Sequence, residues 1–133
     1  METIHSHAAP AAIGPYAQAI RSGDLIFTSG QIALTVEGEF IDESVAAETE
    51  QVLKNLDAVL GAAGCSLACV LKTTIFLTDM NDFAEVNDVY ARAMGKHRPA
   101  RATVEVAGLP RGARVEIECV ATAVACREGK SSL

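Results

Sequence analysis

The sequence predicts an α+β fold, in which a mixed β-sheet carries two helices on one face. Apolar residues recur at helical spacing in two segments, and short runs rich in β-branched residues stand before, between and after them. The predicted order is strand, strand, helix, strand, helix, strand, strand, which contains two βαβ-like passages. Since such crossovers are right-handed, both helices should lie on one side of the sheet. A chain of 133 residues that is 50% hydrophobic suits a single domain over residues 1–133.

The N-terminal part predicts an irregular arm followed by a hairpin. Residues 1–15 are rich in Ala and Pro, have no sustained period and end in the turn Gly14-Pro15. Residues 17–21 and 25–29 are short apolar runs separated by Ser-Gly-Asp, which is typical of a tight reversal between antiparallel strands. Gly30 follows directly, and its bare backbone suits a bulge or the close approach of a ligand.

The first helix is predicted from Val45, with Asp42 or Ser44 as N-cap and Gly64 as its stop. Residues 70–77 then read as a strand, apolar enough to be buried on both sides. The apolar stripe of the predicted first helix consists of Val52, Leu53, Leu56, Val59, Leu60 and Ala63.

The second helix is predicted to follow at once. Asp82 and Glu85 have capping-box spacing, and Gly95 closes the segment. After it we expect a strand at residues 102–106, a long strand from 113 to about 125, and a polar tail at 127–133. The apolar stripe of this helix consists of Phe83, Val86, Tyr90, Ala93 and Met94.

The last strand predicts an interface, because its two faces differ. Val115, Ile117 and Cys119 begin an apolar side, whereas Glu116 and Glu118 begin the other. One side should meet the helices. The other side also carries apolar groups with nothing in the chain to cover them, so the sequence predicts a homo-oligomer.

Composition excludes several classes of protein. Seventeen acidic and eleven basic residues give a net charge of −6, which argues against a nonspecific nucleic-acid binder. No apolar run approaches the roughly 20 residues of a membrane span, and no secretory signal is visible, so we expect a cytoplasmic protein. Cys65, Cys69, Cys119 and Cys126 are expected to be reduced, and their spacing does not predict a metal site.

Arg101 and Glu116 are the main candidates for chemistry. A guanidinium at the entry to a strand could bind a carboxylate through two parallel hydrogen bonds, although most arginines are simply solvated. Glu116 and Glu118 share one strand face, where a carboxylate of raised pKa could position a water, or could merely pair with Arg111 or Arg114. We take Tyr16 and Asn87 as further polar candidates.

Five segments in order resemble the reactive intermediate deaminase A (RidA, YjgF-like, endoribonuclease L-PSP) family over nearly the whole chain. They are APAAIGPYAQAI at residues 9–20, TSGQI at 28–32, QVLKNLDAVLGAAG at 51–64, VLKTTIFLTDMNDFAEVNDVY at 70–90, and PARATVEVAGLPRGARVEIE at 99–118. The resemblance implies a chorismate-mutase-like fold and a homotrimer with sites in the clefts between subunits.

The same resemblance implies hydrolytic deamination of 2-enamino and 2-imino acids, such as 2-aminoacrylate, 2-iminobutanoate and 2-iminopropanoate, to 2-keto acids and ammonia. Arg101 would bind the substrate carboxylate, and Glu116 would orient the attacking water. The other substrate-binding positions would be Tyr16, Ser29, Gly30, Asn87 and Thr103. No metal or cofactor is implied, but the substrates would come from pyridoxal-phosphate-dependent dehydratases.

Two departures from the family pattern keep other functions open. Thr103 stands where many members have cysteine, and Arg98 follows an unusually short connection from Gly95. A second cation near Arg101 would suit a dicarboxylic enamine, as in 2-aminomuconate deaminases. Further alternatives are an RNA-directed translation inhibitor or ribonuclease and a non-catalytic ligand-binding or chaperone-like trimer. The support for RNA is a basic cluster of Lys96, His97, Arg98, Arg101, Arg111 and Arg114.

Overall fold

A computed structural model describes residues 1–123, which form one six-stranded mixed sheet and two helices. The strand order in the sheet is β1-β2-β3-β6-β4-β5. Only the β4–β5 pair is parallel among these neighbours, because α2 carries the chain back between them. The elements are β1 Glu2–Ile4, β2 Ala19–Ser22, β3 Leu25–Thr28, α1 Val45–Ala62, β4 Val70–Leu77, α2 Phe83–Met94, β5 Ala100–Glu105 and β6 Val115–Thr122.

One face of the sheet is buried under the helices and the other is open, as predicted. Along β6, Val115 and Ile117 are fully buried. Glu116, which lies between them, is half-buried, and Glu118, which follows Ile117, is exposed. β4 alternates in the same way, and Ile75 lies opposite Ile117 under the helices. The expectation that β4 is buried on both sides is therefore wrong, because no layer formed by residues 1–123 covers its second face.

The first helix has the predicted ends. The hydroxyl of Ser44 accepts a hydrogen bond from the backbone N–H of Ala47 at 3.0 Å, so Ser44 and not Asp42 is the N-cap. The helix ends at Ala62, and Gly64 takes a positive φ of 82° just beyond it.

The second helix begins differently from its prediction. Asp82 makes no capping hydrogen bond, because its own backbone is already close to helical. It closes a 3-10 turn, Met80–Asp82, and Asp79 caps that turn by accepting from Asn81 N at 2.9 Å. The capping box of Asp82 with Glu85 is thus absent from the described residues, while the predicted stop at Gly95 is present.

The arm is less irregular than predicted. Glu2–Ile4 form an edge strand on β2, and the buried side chain of Gln18 ties down the residues that follow. Gln18 accepts from Ser6 N at 2.6 Å and donates to Pro10 O at 2.8 Å. The sheet edge supplied by β2 therefore orders a segment whose sequence has no period. The predicted polar tail and the end of the last strand beyond residue 123 lie outside the described residues.

The thiols do not all have the expected state. Cys65 and Cys119 are free, but Cys69 is disulfide-bonded, so the expectation of reduced cysteines is wrong for Cys69. Cys126 lies outside the described residues. Among residues 1–123, neither helix is long and apolar enough to cross a bilayer.

Candidate active site

Arg101 is held against the second helix. It lies opposite Thr73 in the β4–β5 register and therefore faces the helix side of the sheet. Its Nη1 donates to Asn87 Oδ1 at 2.7 Å, and its Cζ lies 5.1 Å from the ring centroid of Tyr90 and 5.5 Å from that of Phe83. Two aromatic rings and an amide thus restrain a guanidinium that remains solvent-accessible.

Tyr90 is itself fixed from below. The residue is buried, and its hydroxyl shares a 2.7 Å hydrogen bond with Thr73 Oγ1. The ring under Arg101 is therefore anchored in the core, which limits the orientations open to the guanidinium. The surrounding cavity, called here the Arg101 cavity, measures about 500 Å³ and is lined by Asn87, Tyr90, Ala91, Arg98, Pro99 and Arg101.

Thr103 lies on the same face of β5, two residues beyond Arg101. Its hydroxyl oxygen is buried and has no hydrogen-bond partner, and it is the one such side-chain atom recorded within residues 1–123. Buried hydroxyls are normally satisfied, so this unpaired oxygen is unusual. Thr103 does not line the Arg101 cavity, and its role in substrate binding stays a prediction.

Glu116 lies on the open face of β6, opposite Phe76 of β4. Burial raises the pKa of its carboxyl, and the neighbouring charge of Glu118 raises this pKa further. Glu116 forms no ion pair in the described chain; Arg114, one of its expected partners, instead binds the fully buried carboxylate of Glu48. Glu116 therefore has a carboxyl of raised pKa with no cation bonded to it among residues 1–123.

Gly30 lets the backbone approach Glu116 closely. A Cβ added there would lie 2.8 Å from Glu116 Cδ and closer still to one carboxylate oxygen, so only glycine fits without displacing Glu116. Ser29 donates from its hydroxyl to Ala17 O at 2.6 Å, which fixes the segment before Gly30. The exposed Tyr16 accepts from Ile13 N at 3.3 Å.

These residues line a second cavity of about 500 Å³, called here the Glu116 cavity. Its polar and charged lining consists of Tyr16, Gln18, Ser29, Gln31, Arg111 and Glu116, and Gly30 also lines it. The backbone of Gln31 is bonded in both directions to Ile117, at 2.9 and 3.2 Å, which joins this segment to β6 beside Glu116.

The predicted site residues fall into two groups within the chain. Tyr16, Ser29, Gly30 and Glu116 come together in one cavity, whereas Asn87 and Arg101 line the other, and the two cavities share no lining residue. Arg101 faces the helix side of the sheet and Glu116 the open side. A single chain therefore does not bring its two main candidates to one point.

Sequence reasoning missed Phe83, Tyr90 and Arg111. The helical spacing of the first two predicts core positions, although Asn87 lies between them on the same face of α2 and indicates a shared contact. Arg111 was considered only as a basic surface residue. The basic cluster is also divided, with Arg98 and Arg101 in one cavity and Arg111 in the other.

Arg98 does line the Arg101 cavity, but part of its guanidinium is occupied. Its Nη1 donates to Gly95 O at 2.6 Å and to His97 O at 2.9 Å. These two bonds satisfy carbonyls at the end of α2, so one role of Arg98 is to close the helix.

The family model described as Endoribonuclease L-PSP matches residues 6–123. The chain belongs to this family. A chloroplastic Reactive Intermediate Deaminase A of Arabidopsis thaliana, whose length exceeds that of this chain, is 49% identical over 122 residues, which cover 91% of this chain and 65% of that protein. The 2-iminobutanoate/2-iminopropanoate deaminase of Mus musculus is 48% identical over 121 residues, 90% of each.

Among solved structures, E. coli TdcF with bound serine superposes with a TM-score of 0.86. It is 39% identical, and the match covers 92% of this chain and 98% of that one. The mixed sheet with two helices is thus the fold of a solved relative, and the resemblance inferred from the sequence segments is confirmed.

Proposed function

We propose that this protein hydrolyses 2-imino acids, and 2-enamino acids that tautomerise to them, to 2-keto acids and ammonia. The observation that carries the proposal is Arg101, an accessible guanidinium that Asn87 and the rings of Phe83 and Tyr90 restrain. The names of the deaminase relatives and the serine bound to TdcF agree with a small amino-acid-like ligand.

Arg101 would bind the substrate carboxylate. A guanidinium has five N–H donors, and Asn87 uses one of them, so the others can form a two-pronged contact with a carboxylate. Because Phe83 and Tyr90 already restrain the group, binding loses less side-chain freedom than it would with a solvated arginine.

Glu116 would direct water to the imine carbon. The carboxylate takes a proton from water as the new C–O bond forms, the electron pair of the C=N bond moves to nitrogen, and Glu116 returns the proton to that nitrogen. Glu116 then takes the proton of the new hydroxyl as the carbonyl forms and the C–N bond breaks, and it passes this proton to the leaving nitrogen, so that ammonia is released. A raised pKa suits this role, since the carboxyl can both accept and return a proton nearer neutral pH.

The complete site would need a second copy of the chain. Arg101 and Glu116 face opposite sides of one sheet, so a substrate touching both must lie between the Arg101 cavity of one copy and the Glu116 cavity of another. The open face offers the apolar area for such contact through Leu25, Phe27 and Val104, which are 38%, 45% and 40% exposed. We propose a homotrimer of the chorismate-mutase-like type.

The proposed substrates also suggest a cellular setting. Enamines of this kind are released by pyridoxal-phosphate-dependent dehydratases, so we propose that the protein acts in the cytoplasm beside such enzymes. It would use no metal or cofactor of its own, since positioning and one carboxylate suffice for an imine that already hydrolyses in water.

The test is to generate imino acids in situ with an amino-acid oxidase and to measure release of keto acid. Wild-type protein should accelerate hydrolysis, and Arg101→Ala and Glu116→Gln should each lower kcat/KM. Arg92→Gln is the matched control, because it removes an exposed charge of α2 that lines neither cavity. A wild-type rate equal to the uncatalysed rate would refute the proposal.

A further inference from the structure

The connection between α2 and β5 forms one wall of the Arg101 cavity. It comprises residues 95–99, of which Arg98 and Pro99 line the cavity. The helix before the connection supplies the amide and the rings that restrain the guanidinium, and the strand after it carries Arg101 itself. A connection this short limits how far the start of β5 can move from the end of α2, so its own anchoring bears on the orientation of Arg101.

The backbone of the connection does not extend the sheet. The parallel pairing of β4 with β5 begins at Lys72 and Ala100. Pro99, the residue before Ala100, has no N–H, so its amide cannot donate to the neighbouring strand. Arg101 therefore stands one residue inside the start of its strand, and strand ends are the parts of a sheet that open most readily.

His97 supplies a contact to β4 with its side chain instead. Its Nε2 donates to the backbone carbonyl of Val70, the first residue of β4, at 2.6 Å. A carbonyl oxygen only accepts, so Nε2 carries a proton in this bond. Val70 is almost fully buried and is paired with Ala121 of β6, so the ring is bonded to a fixed part of the sheet.

The backbone of His97 is joined to the other end of the connection. Its N–H donates to Met94 O at 3.1 Å, and its carbonyl accepts from Arg98 Nη1, which also donates to Gly95 O. His97 thus links the end of α2 to the start of β4, although it lines neither cavity. The side-chain bond to Val70 is the part of this arrangement that fixes the connection to the sheet.

We propose that His97 is a positioning residue, whose bond to Val70 O holds the start of β5 so that the Arg101 guanidinium is presented to the substrate carboxylate. This inference rests on the proposed function and adds a residue to its carboxylate-binding half. Glu116 lines the other cavity, so loss of the bond should weaken binding of the carboxylate more than it slows the later proton transfers.

The experiment compares wild type with His97→Leu, His97→Gln and the control Ser44→Ala. Leucine cannot donate, whereas the side-chain amide nitrogen of glutamine can donate to the same carbonyl. Ser44→Ala removes a side-chain-to-backbone hydrogen bond at the start of α1 and lines neither cavity. Keto-acid release from oxidase-generated 2-iminobutanoate gives kcat and KM, calorimetry gives the Kd of 2-oxobutanoate, and thermal unfolding gives the stability of each variant.

His97→Leu should raise both KM and the Kd of 2-oxobutanoate by about fivefold and change kcat by less than about twofold, because a displaced guanidinium weakens binding before and during the reaction alike. His97→Gln should restore both constants to within about twofold of the wild-type values. Ser44→Ala should lower the thermal midpoint as His97→Leu does, yet leave KM and Kd within about twofold of wild type.

A double variant tests whether His97 acts through Arg101. In the Arg101→Ala chain, adding His97→Leu should lower kcat/KM by less than about twofold further, because the group that His97 positions is gone. Additive losses, unchanged KM and Kd in His97→Leu, no restoration by glutamine, an equal loss of affinity in Ser44→Ala, or no binding of 2-oxobutanoate by wild type would overturn the inference. The expected differences in Kd without hydrolysis of any imino acid by wild type would instead refute the proposed function alone.

Discussion

An Arg101→Ala chain and a Glu116→Gln chain should restore each other's activity when they assemble together. The two side chains face opposite sides of one sheet and line separate cavities, so each proposed site takes Arg101 from one copy and Glu116 from the next. In a mixed oligomer, some interfaces then join two intact halves. Separate oligomers of either variant contain none.

The size of the effect follows from the geometry. Loss of the charged donors of Arg101 should raise the free energy of the transition state by about 2–3 kcal/mol, which lowers kcat/KM by about 30- to 150-fold. In the proposed trimer, every mixed ring of the two chains contains one interface at which both halves are intact, so about a third of the sites in purified hetero-oligomers should be wild type. Activity should therefore rise from a few per cent or less to about a third of the wild-type value.

The assay uses co-expression of the two variants with different affinity tags, so that hetero-oligomers are purified in two steps before keto-acid release is measured. The matched control mixes Glu116→Gln with Gly30→Ala, whose defects lie in the same cavity and cannot complement. Hetero-oligomers of the first pair that stay as inactive as their parents would refute the shared site. Restoration in the control pair would refute the assignment of Gly30 and Glu116 to one half.

Three further predictions concern the residues around the two cavities. Gly30→Ala should lower kcat by displacing Glu116, whose Cδ would lie 2.8 Å from the new Cβ, and kinetics with circular dichroism would check that the fold persists. Glu116→Gln should raise the thermal midpoint at neutral pH but not below pH about 4. Because the pKa of Glu116 is higher in the folded than in the unfolded state, its ionisation at neutral pH destabilises the fold, and glutamine removes that cost. An equal gain in thermal midpoint at both pH values would contradict the burial argument. Arg114→Met should destabilise the fold by about 3 kcal/mol in denaturant titrations, because it leaves the Glu48 carboxylate buried without its cation, and Glu48→Gln in the same chain should recover much of the loss.

Local patterns in the sequence predicted most of the fold. The period of apolar residues placed α1 and α2, and the run of β-branched residues placed β4 at the bounds that the structure gives, Val70–Leu77. The strand β1 escaped prediction because three residues are too short to show a period, and it is ordered by the edge of β2. The disulfide at Cys69 escaped for a similar reason, since pairing of cysteines is decided by distance in the fold.

The candidate site was predictable only in parts. Alternation along β6 correctly predicted that Glu116 and Ile117 lie on opposite faces of the sheet. Whether Arg101 shares a face with Glu116, however, depends on how β5 and β6 are each aligned with β4. That alignment is set by backbone hydrogen bonds and by the packing of α2, which no local pattern reveals. The contacts of Arg101 with Phe83 and Tyr90 depend on the same alignment, so the sequence could name Arg101 without indicating what holds it.

If each site takes Arg101 from one copy and Glu116 from another, assembly would also change the pKa of Glu116. In one protomer the carboxyl is partly exposed, and burial with the charge of Glu118 raises its pKa. Covering by a second copy would raise this pKa further, whereas the approach of the second copy's guanidinium would lower it. A bound substrate carboxylate would neutralise that guanidinium and remove the lowering influence. The proton affinity of Glu116 should therefore be highest when substrate is bound, at the step where a proton must be taken from water.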